Sequence, residues 1–137
     1  MNLTLSVLSG RFAICRLNAD DAVPAWVPLL TGLPGSDERF ISMTRTADEL
    51  SIVGPESVVP EAVQRDRGWR ILKVEGPLDL QLTGVLAALV APLAEARVNI
   101  FAVSTFDTDY LLVKDELLSL AAETLVRAGH RLETRGE

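Results

Sequence analysis

A chain of 137 residues, 48% apolar and 23% charged, has the size and balance of one globular domain or of two small units sharing a core, which excludes disorder and fibrous repeats. Its 13 basic against 19 acidic residues give a formal charge of −6. No run of Lys or Arg is present that could neutralise a phosphate backbone, so nucleic acid is excluded as an expected partner.

In chain order, residues 3–8 and 11–17 read as strands, and residues 21–32 as a short helix broken by prolines. Residues 39–46 and 49–54 form a hairpin around Ala47 and Asp48, and residues 55–63 supply a second short helix. The charged stretch "QRDRG" at 64–68 divides the chain, giving an expected N-terminal unit over 1–64 and a C-terminal unit over 65–137. Residues 69–74 read as a strand, followed by a loop at 75–81. Leu82, Val85, Leu86, Leu89, Val90 and Leu93 then recur at spacings of three and four, the mark of a helix face, with Pro92 expected to bend or loosen its end. The apolar run at 98–106 and residues 110–114 are strands joined by a turn at 107–109. Asp115 is placed to cap a helix carrying Leu117, Leu118, Ala121, Leu125 and Ala128 on one face, stopped by Gly129, and residues 130–134 are a last strand. Strand-helix-strand-strand-helix-strand, seen in the second half and less clearly in the first, is the split βαβ order: an α+β fold of ferredoxin-like βαββαβ units in tandem, antiparallel sheets with helices on one face.

The start of the chain lacks a basic segment, and its apolar stretch is interrupted by Gly10 and Arg11, so no signal peptide is expected. No apolar run approaches the roughly 20 residues of a membrane span. Cys15 is the only cysteine, so no internal disulfide can form, and the cytoplasm is the expected compartment. Catalytic machinery is not visible. His130, the one histidine, follows Gly129 at a helix end and reads as structural, and there is no nucleophile elbow and no glycine-rich phosphate loop. Asp107 and Asp109 have metal-site spacing, but no other segment supplies the further oxygens that a hard cation wants. The chain is expected to be neither an enzyme nor dependent on a metal or cofactor.

The stretch "LTGVLAALVAPLAEARVNIFAVSTFDTDYLLVK" resembles the ACT domain, and more narrowly the tandem ACT proteins found among bacterial amino-acid-binding proteins and the CASTOR-type arginine sensors. Gly84, Val85 and Leu86 stand where ACT domains have Pro-Gly-Val/Ile-Leu, with Thr83 in place of the proline. Arg97 replaces the usual glycine before Val98. The resemblance covers 69–134 well and 1–64 weakly. It implies a free amino acid held at Thr83, Gly84 and Val85 and at Ser104, Thr105, Phe106, Asp107 and Asp109, with Glu75 and Asp79 as further candidates to meet a basic side chain.

Physical chemistry is compatible with that implication. A helix start offers unpaired N–H groups to a carboxylate, a glycine lets it approach, and an aspartate can take an ammonium. Asp107 and Asp109 also suit a plain turn-forming role. The alternative to an amino-acid sensor is a dimerisation or protein-interaction module without a ligand. A homodimer and a protein that reads the ligand-bound state are the further partners considered; a membrane is not.

Overall fold

The computed structural model describes residues 1–27, 37–79 and 83–134. Among the described residues lie eight strands, β1 (Thr4–Val7), β2 (Phe12–Leu17), β3 (Ser42–Arg45), β4 (Leu50–Pro55), β5 (Gln64–Val74), β6 (Phe101–Ser104), β7 (Asp109–Lys114) and β8 (Arg131–Thr134), and two helices, α1 (Val85–Glu95) and α2 (Leu118–Arg127). The fold is α+β with mostly antiparallel strand pairing, and the second half follows the expected order of β5, α1, β6, β7, α2 and β8.

Two compact units are present, one formed by Met1–Ser9 with Arg70–Glu137 and the other by Gly10–Trp69. In the first, β6 pairs with β7, β7 with β5, β5 with β1, and β1 with β8. The expected boundary at 64/65 falls at the start of β5, and β1 pairs antiparallel with Leu72–Val74 and parallel with β8. The N-terminal strand thus completes the sheet of the C-terminal half, because Leu5, fully buried there, adds to the same core as Leu72 and Val74.

That core explains the helices. Val85, Leu89 and Leu93 of α1 and Ala121 and Leu125 of α2 pack on Leu72 and Val74 of β5 and on Leu111 and Val113 of β7. Residues two apart on a strand share a face, so both helices cover one side of the sheet.

In the second unit β2 pairs with β4, β3 with β4, and β2 with the first part of β5. The hairpin around Ala47 and Asp48 is present, with Arg45 opposite Leu50. "QRDRG" is strand rather than divider: exposed charged residues are tolerated because β2 supplies the pairing, and the register shift between Phe12 and Ile14 lies opposite Gly68 (φ +83°). The Gly68 N–H donates to Glu56 Oε2 (2.9 Å). Neither short helix expected in this half is an α-helix in the described residues. Residues 21–27 hold only a turn, residues 28–32 lie outside the described residues, and within 55–63 there is a single 3-10 turn at Glu56–Val58. Prolines at 24, 55 and 60 remove the donors a helix would need.

Pro92 does not interrupt α1, which continues to Glu95. A proline at 92 has no N–H for the Ala88 carbonyl, and that carbonyl lies 3.2 Å from His130 Nε2 instead. His130 Nδ1 accepts the Leu3 N–H (3.1 Å), which fixes the proton on Nε2, so the buried ring donates to Ala88 and ties α1 to the chain on either side of β8 and β1. Its structural role is thereby explained. Leu117, not Asp115, holds the N-cap position of α2; a 3-10 turn at Asp115–Leu117 precedes the helix, and the Asp115 carboxylate pairs with Arg70 Nη1 at 3.1 Å.

Candidate functional site

The loop after β5, the start of α1 and the β6–β7 turn meet within the first unit. Gly84 is the N-cap of α1 in the left-handed region (φ +81°), with no side-chain cap. A side chain at 84 would have open space but the wrong backbone, which is the physical reason for glycine. The first intrahelical bond runs from the Ala88 N–H to the Gly84 carbonyl (2.9 Å), leaving the N–H groups of Val85, Leu86 and Ala87 ahead of it at the positive end of the helix dipole.

The turn opposite is built by threonines. Thr105 N–H donates to the Thr108 carbonyl (2.8 Å), and the Thr105 hydroxyl oxygen accepts the Thr108 N–H (3.3 Å). Thr108, buried, donates its hydroxyl to the Val74 carbonyl (2.6 Å), fastening the turn to the end of β5. The Asp107 carbonyl accepts the Leu78 N–H (2.7 Å), fastening it to the loop as well. Gly76 is needed in that loop, because a Cβ there would come within 2.9 Å of Leu78 N and 3.2 Å of the Asp107 carbonyl oxygen. At the base of the turn Ser104 faces Asp109 across the strands and donates its hydroxyl to Asp109 Oδ1 (2.6 Å).

Between these parts is a cleft of about 270 Å³, lined by Leu78, Asp79, Gly84, Val85, Leu86, Phe106, Asp107, Thr108 and Asp109. That volume lies just below the roughly 300–1,000 Å³ of small-molecule sites, which suits a ligand of amino-acid size. Five expected positions, Gly84, Val85, Phe106, Asp107 and Asp109, line it; Thr83, Ser104 and Thr105 do not. Thr83 is exposed ahead of the cap, while Ser104 and Thr105 spend their hydroxyls on Asp109 and on the turn. Asp79 lines the cleft, whereas Glu75 accepts the Ser6 hydroxyl. Leu78, Leu86 and Thr108 were missed as site residues, and the signal for Thr108 was a second threonine in a turn whose first already closes it. The lining holds three carboxylates and no Lys, Arg or His. Phe106 is 80% exposed at its rim.

No group of three or more His, Cys, Asp or Glu among the described residues is arranged to hold a metal ion. Cys15 is buried in the other unit, and burial pushes its thiol up to about 11, with Arg65 pulling weakly the other way, so it stays a protonated packing group.

The sequence model of the ACT domain matches residues 64–127. A crystal structure of an Agrobacterium tumefaciens protein is 39% identical, with a TM-score of 0.88 over 100% of this chain and 96% of that one. An ACT domain occupies residues 64–127. A second family model, describing an N-terminal domain, matches residues 10–62 of this ACT protein. The bovine cytosolic arginine sensor for mTORC1 subunit 1 is 28% identical over 100 residues, which cover 65% of this chain and 30% of the sensor. The chain therefore spans about a third of the length of such curated relatives. The regulatory subunit of Thermus thermophilus aspartate kinase, at 9% identity and a TM-score of 0.60 over 89% of this chain and 93% of that one, shares the ACT fold. No helix among the described residues is long and apolar enough to cross a membrane.

Proposed function

We propose that this ACT protein is a non-catalytic regulatory module that binds a free amino acid in the cleft between Gly84 and Asp109, with preference for a cationic side chain. The observation that carries the reading is the polarity of the cleft: helix N–H groups at one border, and Asp79, Asp107 and Asp109 without any basic residue in the lining. The ligand carboxylate would sit at the α1 amides, where Gly84 leaves room, and its ammonium at Asp109, with Asp107 facing a second positive charge. Phe106 would lose its exposure over the ligand's apolar stem. That curated relatives are named cytosolic arginine sensors supports both the ligand class and a cytoplasmic site of action.

The test is thermal melting against each of the twenty amino acids. A ligand binding only the folded state at 100 times its dissociation constant adds roughly 2.7 kcal/mol, so arginine or lysine should raise the melting temperature where aspartate and glutamate do not. A shift with a neutral amino acid alone would keep the binding function and remove the cationic preference. Absence of any shift would leave the interaction-module reading.

A further inference from the structure

Glu75 does not line the cleft, yet it stands where both of the cleft's movable walls are tied down. It is the first residue after β5. Thr108, in the turn that forms one wall, donates its hydroxyl to the carbonyl of Val74, the residue before Glu75 (2.6 Å). The loop after Glu75 carries Leu78 and Asp79 into the lining and is held on its far side by the Leu78 N–H on the Asp107 carbonyl (2.7 Å). On the near side the hold is Glu75 itself. Its N–H donates to the Thr4 carbonyl (2.8 Å), and its carboxylate accepts the Ser6 hydroxyl, so both bonds reach β1.

Ser6 is 1% exposed, so its hydroxyl needs a partner inside the protein. A carboxylate is a strong acceptor, and a bond to so buried a donor fixes the carboxyl in one orientation, toward β1. We infer that Ser6 and Glu75 are positioning residues of the cleft: the N-terminal strand, 69 residues distant in sequence at this bond, sets the loop 76–79 and with it the Leu78–Asp107 bond that joins loop to turn. Glu75 acts through Leu78 and Asp79 and touches no ligand. Its bearing on a ligand rests on the amino-acid reading given above, whereas its bearing on the loop does not.

Hydrogen exchange of the Leu78 amide in the ligand-free full chain reads the loop directly. Ser6→Ala and Glu75→Ala should each speed it on the order of tenfold, the scale of one hydrogen bond. The Leu125 amide of α2 should keep its wild-type protection, and Glu75→Gln, which retains an acceptor oxygen for Ser6, should leave Leu78 protected as well. Titration with arginine should follow the same order, with affinity falling about tenfold in both alanine variants and holding in Glu75→Gln. A carboxylate that met the ligand's charge itself would be lost in Glu75→Gln as fully as in Glu75→Ala, and Ser6→Ala would leave binding intact; that pattern overturns the inference. A Leu78 amide that exchanges at the wild-type rate in both alanine variants also overturns it, as does equal acceleration at Leu125, which would mean a general loosening. Faster Leu78 exchange with unchanged arginine affinity would confine the pair to the loop and remove its bearing on the ligand. If the wild type binds no amino acid, the function proposed above falls, and the Leu78 exchange still decides whether Ser6 and Glu75 hold the loop.

Discussion

Helices α1 and α2 end on the same hydrogen-bond pattern and differ in the residue that makes it. After α2 the His130 N–H donates to Leu125 and the Gly129 N–H to Val126, both at 3.0 Å, with Gly129 at φ +102°. After α1 the Val98 N–H donates to Leu93 and the Arg97 N–H to Ala94, and the residue forced into the left-handed region is Arg97 at φ +62°. Both are Schellman ends, but only one uses the residue that adopts this conformation without strain. The same helix starts from a left-handed Gly84 and contains Pro92. Irregular backbone is thus concentrated on the helix that borders the cleft, and α1 holds its place through tertiary contacts more than through its own bonds.

The largest effects should therefore come from those contacts. Leu89 in α1 and Leu125 in α2 are both fully buried, and changing either to Ala should cost about 2–5 kcal/mol in denaturant unfolding. If Leu89→Ala were much the milder, α1 would not depend on its core face. Next comes His130→Ala, which strands the Leu3 N–H and the Ala88 carbonyl and should cost about 1–3 kcal/mol for each group left without water. The sharper version is the double-mutant cycle with Pro92→Ala. Alanine restores an N–H that can reach the Ala88 carbonyl, so His130→Ala should cost less in that background, with a coupling of about 0.5–2 kcal/mol. Equal costs in both backgrounds would show that the imidazole does not compensate for the proline.

Smaller, and opposite in sign, are the two helix ends. A left-handed non-glycine residue costs about 1–2 kcal/mol, and glycine loses about 0.5–1 kcal/mol more backbone entropy on folding, so Arg97→Gly should gain roughly 0.5–1 kcal/mol. Gly129→Ala should lose at least about 1 kcal/mol, since its Cβ would also come within 3.0 Å of Asn2 Oδ1. Both are read from melting curves, and a loss with Arg97→Gly would mean that the arginine side chain makes a contact outweighing its strain.

What was legible in the sequence follows the range of the interactions. The hairpin at 47–48 and the buried helix positions Val85, Leu89, Leu93, Ala121 and Leu125 are local patterns of period two or 3.6 and are found where they were read; Leu82 lies outside the described residues, Ala128 is exposed at the end of α2, and the strand read over 98–106 is only Phe101–Ser104. The assignment of β1 was not local, because its partners lie nearly seventy residues away in β5 and over 120 away in β8. The strand character of "QRDRG" was hidden for the same reason: its charges mark solvent exposure, and only pairing with β2 makes it a strand. Pro92 was read as bending or loosening the helix end because the donor that compensates the Ala88 carbonyl, His130, is forty-two residues from Ala88. In the cleft, Gly84, Asp107 and Asp109 were legible from the family pattern, whereas Ser104 and Thr105 were chosen for chemistry that the turn itself uses.

The smallest effect on stability should come from Asp109→Ala, and it separates the two meanings of that carboxylate. Asp109 is half-buried, and its hydrogen bond comes from an exposed serine at the base of the turn. Exposed bonds of this kind contribute little, so unfolding without ligand should change by no more than about 0.5 kcal/mol. If the carboxylate takes the ligand ammonium, the ligand-dependent rise in melting temperature should vanish in the same variant. Ser104→Ala is the control, since it removes the bond to Asp109 and keeps the charge. Retained ligand stabilisation in Ser104→Ala beside its loss in Asp109→Ala assigns the carboxylate to the ligand. A large loss in both without ligand would instead make the pair a fastening of β6 to β7, leaving Asp79 and Asp107 as the acidic groups of the cleft.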